Sequence, residues 1–547
     1  MSIGQIKQDQ DVLHTSSAVI DAGDRPSISN EPKNARKDLV TTRYLEELNF
    51  REASPDKAFF DGAGLRELDP DLVTLNPDST ENPRNWSRKA KWVTTALTGG
   101  YCFLPTFSST IFAPALLLVM ADLGIKNPTL GAAQISIFVF AFSLGPLFAA
   151  PLSEIYGRTI VVSLGNVAFI AFSLGAGFAQ NAVQLAVCRF FAGVGGSGGL
   201  AVFGGVLADI WDLEERTKAS ALMSTLLILG PVVGPACGGW ISERASWRWT
   251  CWVPATAAAF LQVAALLYMR ESYAPVLLER KLLKNRRLLP QRELYTVMDL
   301  RLGSVPRKGA GSLISSAIRP VMYLLVDPVL FLLSLYFSSV FGEVYLLIVT
   351  FPEIFGEGYG HSAGIVGVDL LAQGVGNMIG LVVTVKAHGI IYKRQTRPDH
   401  IYNPESRLVP AFPGALLLVA GLFLYGFSAL KYHFIVPLVG FVVFAAGAMN
   451  IFMAIQLYIV DCFAYPASAV ATCKLYISRL KMLYMLSSRI FPLFGSRLFE
   501  TLGVDWGAGL LAFLSLGLGV PFLPLIYLYG KKLREIGKRN MQNIVSH

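Results

Sequence analysis

The stretch LGPVVGPACGGW, Leu229–Trp240, lies inside a long apolar run, yet it carries four glycines and two prolines. In water it would make a poor helix, because Gly costs about 1 kcal/mol and Pro about 3 kcal/mol relative to Ala in a helix interior. In a bilayer the balance changes. No hydrophobic force draws helices together there, so small residues that let backbones approach take its place. Carbonyls that a proline leaves unpaired are repaired by neighbouring helices. The stretch therefore predicts a membrane helix, bent at its prolines and packed close to its neighbours.

The rest of the chain agrees. Of its 547 residues, 53% are hydrophobic and 16% charged, and mean hydropathy is +0.49. Soluble domains carry about 25% charged residues. Apolar runs of about 20 residues, enough for a hydrocarbon core of about 30 Å, recur from Lys91 onward. In the N-terminal half they are Trp92–Met120, Leu130–Ala150, Ile160–Phe178, Val183–Ala208, Ser220–Ile241 and Trp249–Met269. In the C-terminal half they are Pro328–Thr350, Ile365–Lys386, Pro413–Ala429, Phe434–Val460, a weak one at Ser468–Leu493, and Gly507–Leu528. The expectation is an all-α membrane protein with two sets of six spans. A polar N-terminal tail (1–89) precedes them, largely disordered, with one short helix near Val40–Arg51 and no apolar leader. The first bundle covers 90–270, a central loop 271–326, the second bundle 327–530 and a basic tail 531–547.

The net charge of +9 is unevenly placed. The central loop holds Arg280, Lys281, Lys284, Arg286, Arg287, Arg292, Arg307 and Lys308. Lys386 ends the eighth span and Lys393, Arg394 and Arg397 follow it, and Lys531, Lys532, Arg534, Lys538 and Arg539 follow the twelfth. With twelve spans all three groups share one side with the N-terminal tail, while the opposite loops are short and nearly uncharged. The positive-inside rule puts that side, and both termini, in the cytosol. The Asn85-Trp86-Ser87 sequon then stays unmodified. Basic residues that border spans meet anionic lipid heads. They lack the interleaved aromatics of a nucleic-acid surface, so no nucleic-acid partner is expected. The cysteines (Cys102, Cys188, Cys237, Cys251, Cys462 and Cys473) lack the close pairing of a metal site. No cofactor is expected.

Several motifs narrow the reading. GVGGSGG at Gly193–Gly199 contains G-x-G-x-x-G, but inside an apolar helix rather than after a strand, which removes the dinucleotide reading. Gly230, Gly234, Pro235, Gly238 and Gly239 form G-x-x-x-G-P-x-x-G-G. With this run the chain resembles the major facilitator superfamily, in the fifth-helix motif of its antiporter branch. Pro151–Arg158 resembles that superfamily's loop between helices two and three, with Glu154, Gly157 and Arg158 in place and the usual leading Gly absent. A turn at Gly157 would leave Glu154 near a helix N-terminus, where the dipole favours an anion, and Arg158 paired with Asp209 or Asp212. Arg189 and Gly193 match the fourth-helix Arg-x-x-x-Gly pattern. Asn82-Pro83-Arg84-Asn85-Trp86, Glu271–Pro275 and Tyr465-Pro466 are similar to fungal twelve-span drug:proton antiporters, over roughly Asn82–Gly530.

That resemblance implies two pseudo-two-fold-related six-helix bundles, brought close enough to rock by the fifth-helix glycines and proline. It also implies proton-driven export of drug-like or endogenous small molecules by a monomer, at the plasma membrane or, alternatively, the vacuolar membrane. One segment departs from it. Ala471–Arg489 carries Lys474, Arg479, Lys481 and Arg489 and looks several residues longer than the family pattern. Two readings stand: charges lining a cavity, or an imperfect gene translation. In the first case a damaged pump, and more generally a sensor on a transporter fold, become the rival functions. An enzyme is not expected, for no metalloprotease, nucleophile-elbow or Walker motif occurs.

A proton-coupled exporter needs a group that loads and unloads. Glu343, sixteen positions after Asp327, lies about 24 Å into its span at 1.5 Å per residue. Arg189, seven positions after Ala182, enters from the other side to about 10 Å. Carboxylates within spans are few, which makes Glu343 the candidate proton site, and its comparable depth to Arg189 lets their separation vary its protonation. Candidates for an apolar, aromatic substrate cavity are Phe107, Gln134, Tyr336, Tyr345, Asn377, Asn450 and Gln456.

Overall fold

The computed structural model describes residues 69, 71–75, 79–296, 327–395, 404–462 and 469–545. The expected helix near Val40–Arg51 lies outside them. Ten helices among the described residues are long and apolar enough to cross a membrane.

Local signals explain where the helices begin. Ser87 caps α1 (Arg88–Thr110), its hydroxyl accepting from the Ala90 N–H. Asn127 and then Pro128 open α2 (Pro128–Tyr156), and α3 (Arg158–Gly177) follows directly. Asn181 caps α4 (Ala182–Ile210), whose two segments meet at Ser197. The fifth and sixth helices are α5 (Leu213–Arg244) and α6 (Trp249–Tyr268). Asp327 caps α7 (Pro328–Pro352), bonding the Val329 and Leu330 N–H groups at 3.0 and 3.2 Å. Then come α8 (Ala363–Ile391), α9 (Ala411–Ser428) and α10 (Ile435–Cys462). The last helical stretch, Ala469–Val545, is broken at Gly503 (φ +75°) into α11 (469–502) and α12 (504–545). The segment Ala471–Arg489 is helical in its backbone, and its side chains lie outside the described set.

Hydropathy misplaced some limits. The expected first span Trp92–Met120 is two helices, α1 and Leu116–Asp122. Pro114 lies in the break; it has no N–H to donate and disfavours helix in the residue before it. α1 itself is more polar than the ten. It buries Thr95 and Thr98, whose hydroxyls donate to carbonyls one turn back, at 2.9 and 2.8 Å. Other helices overrun their expected ends, as α5 does, because a helix keeps its backbone bonds beyond the apolar zone.

Contacts divide the chain into two compact units. In the smaller one, Leu72–Val73 (β1) and Tyr295–Thr296 (β2) form a parallel pair. Tyr295 donates its hydroxyl to Asp69, and Val73, Leu282 and Leu294 pack together. The end of the expected tail is thus ordered on the central loop. The larger unit contains all the long helices. Phe260, Leu266 and Leu267 on α6 are among its many exposed apolar side chains, as a lipid-facing surface requires.

The opening stretch sorts into two ridges. Gly230, Gly234 and Gly238, four residues apart, face α1. A Cβ at Gly230 would stand 2.8 Å from the Phe107 nitrogen, and one at Gly234 2.8 Å from the Phe107 oxygen. At Gly238 it would strike the Ile111 carbonyl. The other ridge faces α8: a Cβ at Gly239 would strike the Ala363 carbonyl, and Gly367 and Gly374 leave room for the Pro235 carbonyl and the Val232 side chain. The expectation that all five motif residues serve contact between bundles is therefore corrected. The first ridge binds α5 to its own half, and only Pro235 and Gly239 meet the second half.

Gly238→Val should lower thermal stability by about 1–3 kcal/mol, the usual range for overpacking. Gly204→Val, where nothing lies within 4 Å, should change it little. Melting of the detergent-purified protein checks both.

Candidate functional site

The helical body has two ends, the motif end, which holds Arg158, and the far end. At the motif end the turn between α2 and α3 consists of Gly157 alone, at φ +107° and ψ 155°, a conformation essentially restricted to glycine. A Cβ there would strike the Glu271 carboxylate. That carboxylate accepts from the N–H groups of Arg158 and Thr159 (2.9 and 3.1 Å) and of Ser272 and Tyr273 (3.2 and 3.0 Å). It satisfies donors left unpaired at the start of α3. The acid at this helix N-terminus is thus Glu271, and the expectation for Glu154 is corrected. Glu154 sits in the last turn of α2, half exposed, with Oε1 4.0 Å from Arg158.

The Arg158 side chain is buried. It donates to Ser153 Oγ (2.7 Å), pairs with Asp209 (3.6 Å) and stacks on the Tyr273 ring (4.5 Å). Gly205 on α4 leaves room for the guanidinium. Of the two expected acids, Asp209 is the partner. Asp212 stands at the N-cap position just before α5 and is exposed. Ser153 and Tyr273 were within the quoted motifs, but their roles appear only when α2, α3, α4 and the segment after α6 converge. A second cluster occupies the same end of the other half. Arg534 pairs with buried Glu405 and donates to Tyr458 Oη (3.1 Å) and Cys462 Sγ (3.3 Å).

Arg189 is buried within α4. Its Nε donates to the Gln134 carbonyl (2.7 Å), and its guanidinium lies over Phe112 and Phe138 (4.2 and 5.2 Å). The close approach of α4 to α2 depends on Gly193, where a Cβ would strike the Phe138 carbonyl. Glu343 on α7 is wholly buried. Ser515 Oγ of α12 lies 2.7 and 2.8 Å from its two oxygens, and Ser339 Oγ 3.2 Å away. Arg189 and Glu343 form no ion pair. Each is engaged inside its own half, so the expected coupling is not made in this structure.

The model of the Major Facilitator Superfamily matches residues 100–473. This chain belongs to that superfamily. It is 35% identical to Efflux pump radE of Floropilus chiversii over 478 residues, 86% of each chain. To MFS-type transporter penM of Penicillium rubens it is 35% identical over 522 residues, 95% of this chain and 99% of the relative. The fold matches the partially occluded, inward-open xylose transporter XylE of E. coli, with a TM-score of 0.52 at 14% identity over 81% of this chain and 98% of that one.

In this integral, multi-pass superfamily transporter the candidate cavity residues fall into two groups. Gln134, Tyr336 and Asn450 are packed inside their halves. Asn450 accepts from Thr384 (2.9 Å), and Tyr336 lies against Gly519. Phe107 is also buried and stacks on Phe103. Tyr345, Asn377 and Gln456 are half-buried, and Tyr345 reaches Ser109 of α1 across the halves.

Glu271→Ala leaves four backbone donors without this acceptor. An unsatisfied buried donor costs about 1–3 kcal/mol, so the variant should melt earlier than the native protein. Glu271→Gln, whose amide oxygen still accepts, should recover part of the loss.

Proposed function

We propose that the protein exports a drug-like or endogenous small organic molecule in exchange for protons, as a monomer in the plasma membrane. The relatives named efflux pumps support the direction of transport. The observation that carries proton exchange is Glu343. Among the described residues its partners are two hydroxyls, and no cation stands beside it. An uncompensated carboxylate is costly in a dry core, and a proton removes that cost. Intramembrane acids of this kind mark proton relays in pumps and transporters. Glu343 takes a proton when enclosed and yields it when the bundle opens to water. Ser515 ties this event to α12, so loading alters the packing of α7 on α12.

The motif end faces the cytosol in this reading. The exposed basic residues Arg280, Lys284, Arg286 and Arg287, on the helix Ala274–Leu288 just after α6, belong there by the positive-inside rule, where anionic lipid heads meet them. Alternating access then rocks the two halves about a midplane site. Half-buried Tyr345, Asn377 and Gln456 are candidates to line it, with the aromatic surface supplying affinity and the amides orientation.

Export is checked in a pump-deficient yeast with a panel of toxic compounds, scoring retention with and without a protonophore. In sealed vesicles with an imposed pH gradient, Glu343→Gln should abolish gradient-driven flux of a compound so identified and leave its exchange across equal pH. Unchanged gradient-driven flux would remove Glu343 from the mechanism. With the motif end cytosolic, Asn85 should carry no glycan, and glycosidase treatment of protein from a eukaryotic host should leave its mobility unchanged.

A further inference from the structure

The contacts that cross between the halves include a polar one at the far end. Glu243, in the last turn of α5, accepts from Ser362 Oγ (2.9 Å) and from the Gly364 N–H (2.7 Å), both at the start of α8. The fit is specific. Gly364 has no side chain, and a Cβ there would strike the Glu243 carboxylate and stand 3.3 Å from the Trp240 ring. One turn earlier Gly239 meets Ala363, and below it the Pro235 carbonyl meets Gly367. Beside this seam an apolar cluster joins Phe112, Ile135 and Trp247 of the first half to Ile348 and Val349 of the second. At the motif end the ion pairs Arg158–Asp209, Arg88–Glu215 and Arg534–Glu405 each stay within one half.

We infer that Glu243 is a positioning residue that latches the far end of the transporter shut, by holding the start of α8 against the end of α5. The inference rests on the reading of the protein as an alternating-access exporter, whose far end must open to release its cargo. Opening there separates α5 from the start of α8 and breaks both bonds. Hydrogen bonds to an ionised carboxylate are about twice as strong as neutral ones. The latch is reversible because Glu243 is exposed, so water replaces its partners when it parts.

The charged neighbours are already engaged. On the element packed against it, His361 bonds Asp369 at 2.6 Å. On its own helix, Arg244 stacks over Trp240 at 4.8 Å. At the same end Arg248 pairs with Asp122 at 2.7 Å. Arg248 and Trp247 hold the Asp122 carboxyl below the usual carboxylate range. A depressed acid keeps its ion pair until the pH falls through the lowered value, so this clasp inside the first half outlasts mild acid. Among the described residues at this end, Glu243 is the acid that bonds across.

The test uses the full chain in lipid nanodiscs, with native cysteines replaced by alanine. Spin labels are placed at exposed Gln180 of the first half and Glu357 of the second. A control pair, Gln180 and Lys126, stays within the first half. Glu243→Ala should raise the ratio of long to short Gln180–Glu357 distances about tenfold, the order expected for a lost charged hydrogen bond. Glu243→Gln should fall between, and the control pair should not move. An unchanged Gln180–Glu357 distribution in Glu243→Ala overturns the inference. So does a matching shift in the control pair, which would mean a loosened fold. The measurement needs no gradient and no substrate, so loss of proton exchange in the vesicle assay would not imitate either result.

Discussion

Everything in this molecule depends on how closely α5 approaches helices on both of its sides. Lipid supplies no hydrophobic force between helices, so contact must come from backbones drawn together until carbonyls meet glycine Cα atoms. The ridge Gly230–Gly234–Gly238 gives that contact with α1. The ridge through Val232, Pro235 and Gly239 gives it with α8. The first joins α5 to its own half and the second makes it the seam between halves. Two faces of one helix thus pack it against its own half and against the other. The prolines belong to the same economy: Pro235 turns its carbonyl to the second half, where Gly367 leaves space for it.

Charge is distributed according to the same division. Each half carries an arginine cluster at the motif end, built from segments distant in sequence. Arg158 is held by Ser153, Asp209 and Tyr273, while Glu271 fixes the backbone where Arg158 begins α3. Arg534 is held by Glu405, Tyr458 and Cys462. Each cluster ties together segments of its own half that lie far apart in sequence. Inside the spans the halves differ. The first holds Arg189 over two aromatic rings, and the second holds Glu343 under two hydroxyls. The positive and negative groups are separately accommodated, which leaves Glu343 free of a fixed counter-charge among the described residues.

Much of the site was legible because its motifs are local. Gly157 and Arg158 stand together in one quoted motif, whereas the choice between Asp209 and Asp212 as the partner of Arg158 was left to the structure, which pairs it with Asp209. What failed required partners from afar. The turn at Gly157 pointed to Glu154 as the acid near a helix N-terminus. The actual cap, Glu271, is more than a hundred residues away and arrives only after α6 has crossed back. Likewise, depth along a span could be counted for Arg189 and Glu343, but not the direction in which each faces. A rise of about 1.5 Å per residue locates a side chain along an axis and leaves its azimuth to packing. The first span was overdrawn because hydropathy averages across Pro114.

The amino-acid sequence by itself determined the class of protein. Its apolar runs admit only a helical membrane fold, since every backbone polar group in lipid must bond within the structure. Its glycine, proline and arginine spacings marked the superfamily. Tertiary structure alone decided which glycines serve which neighbour, that Glu271 rather than Glu154 caps α3, and that Glu343 rests against Ser515. The reason is physical. Composition and period report the solvent a segment will meet, whereas a contact between helices depends on their relative rotation, and packing of all the helices together sets that rotation.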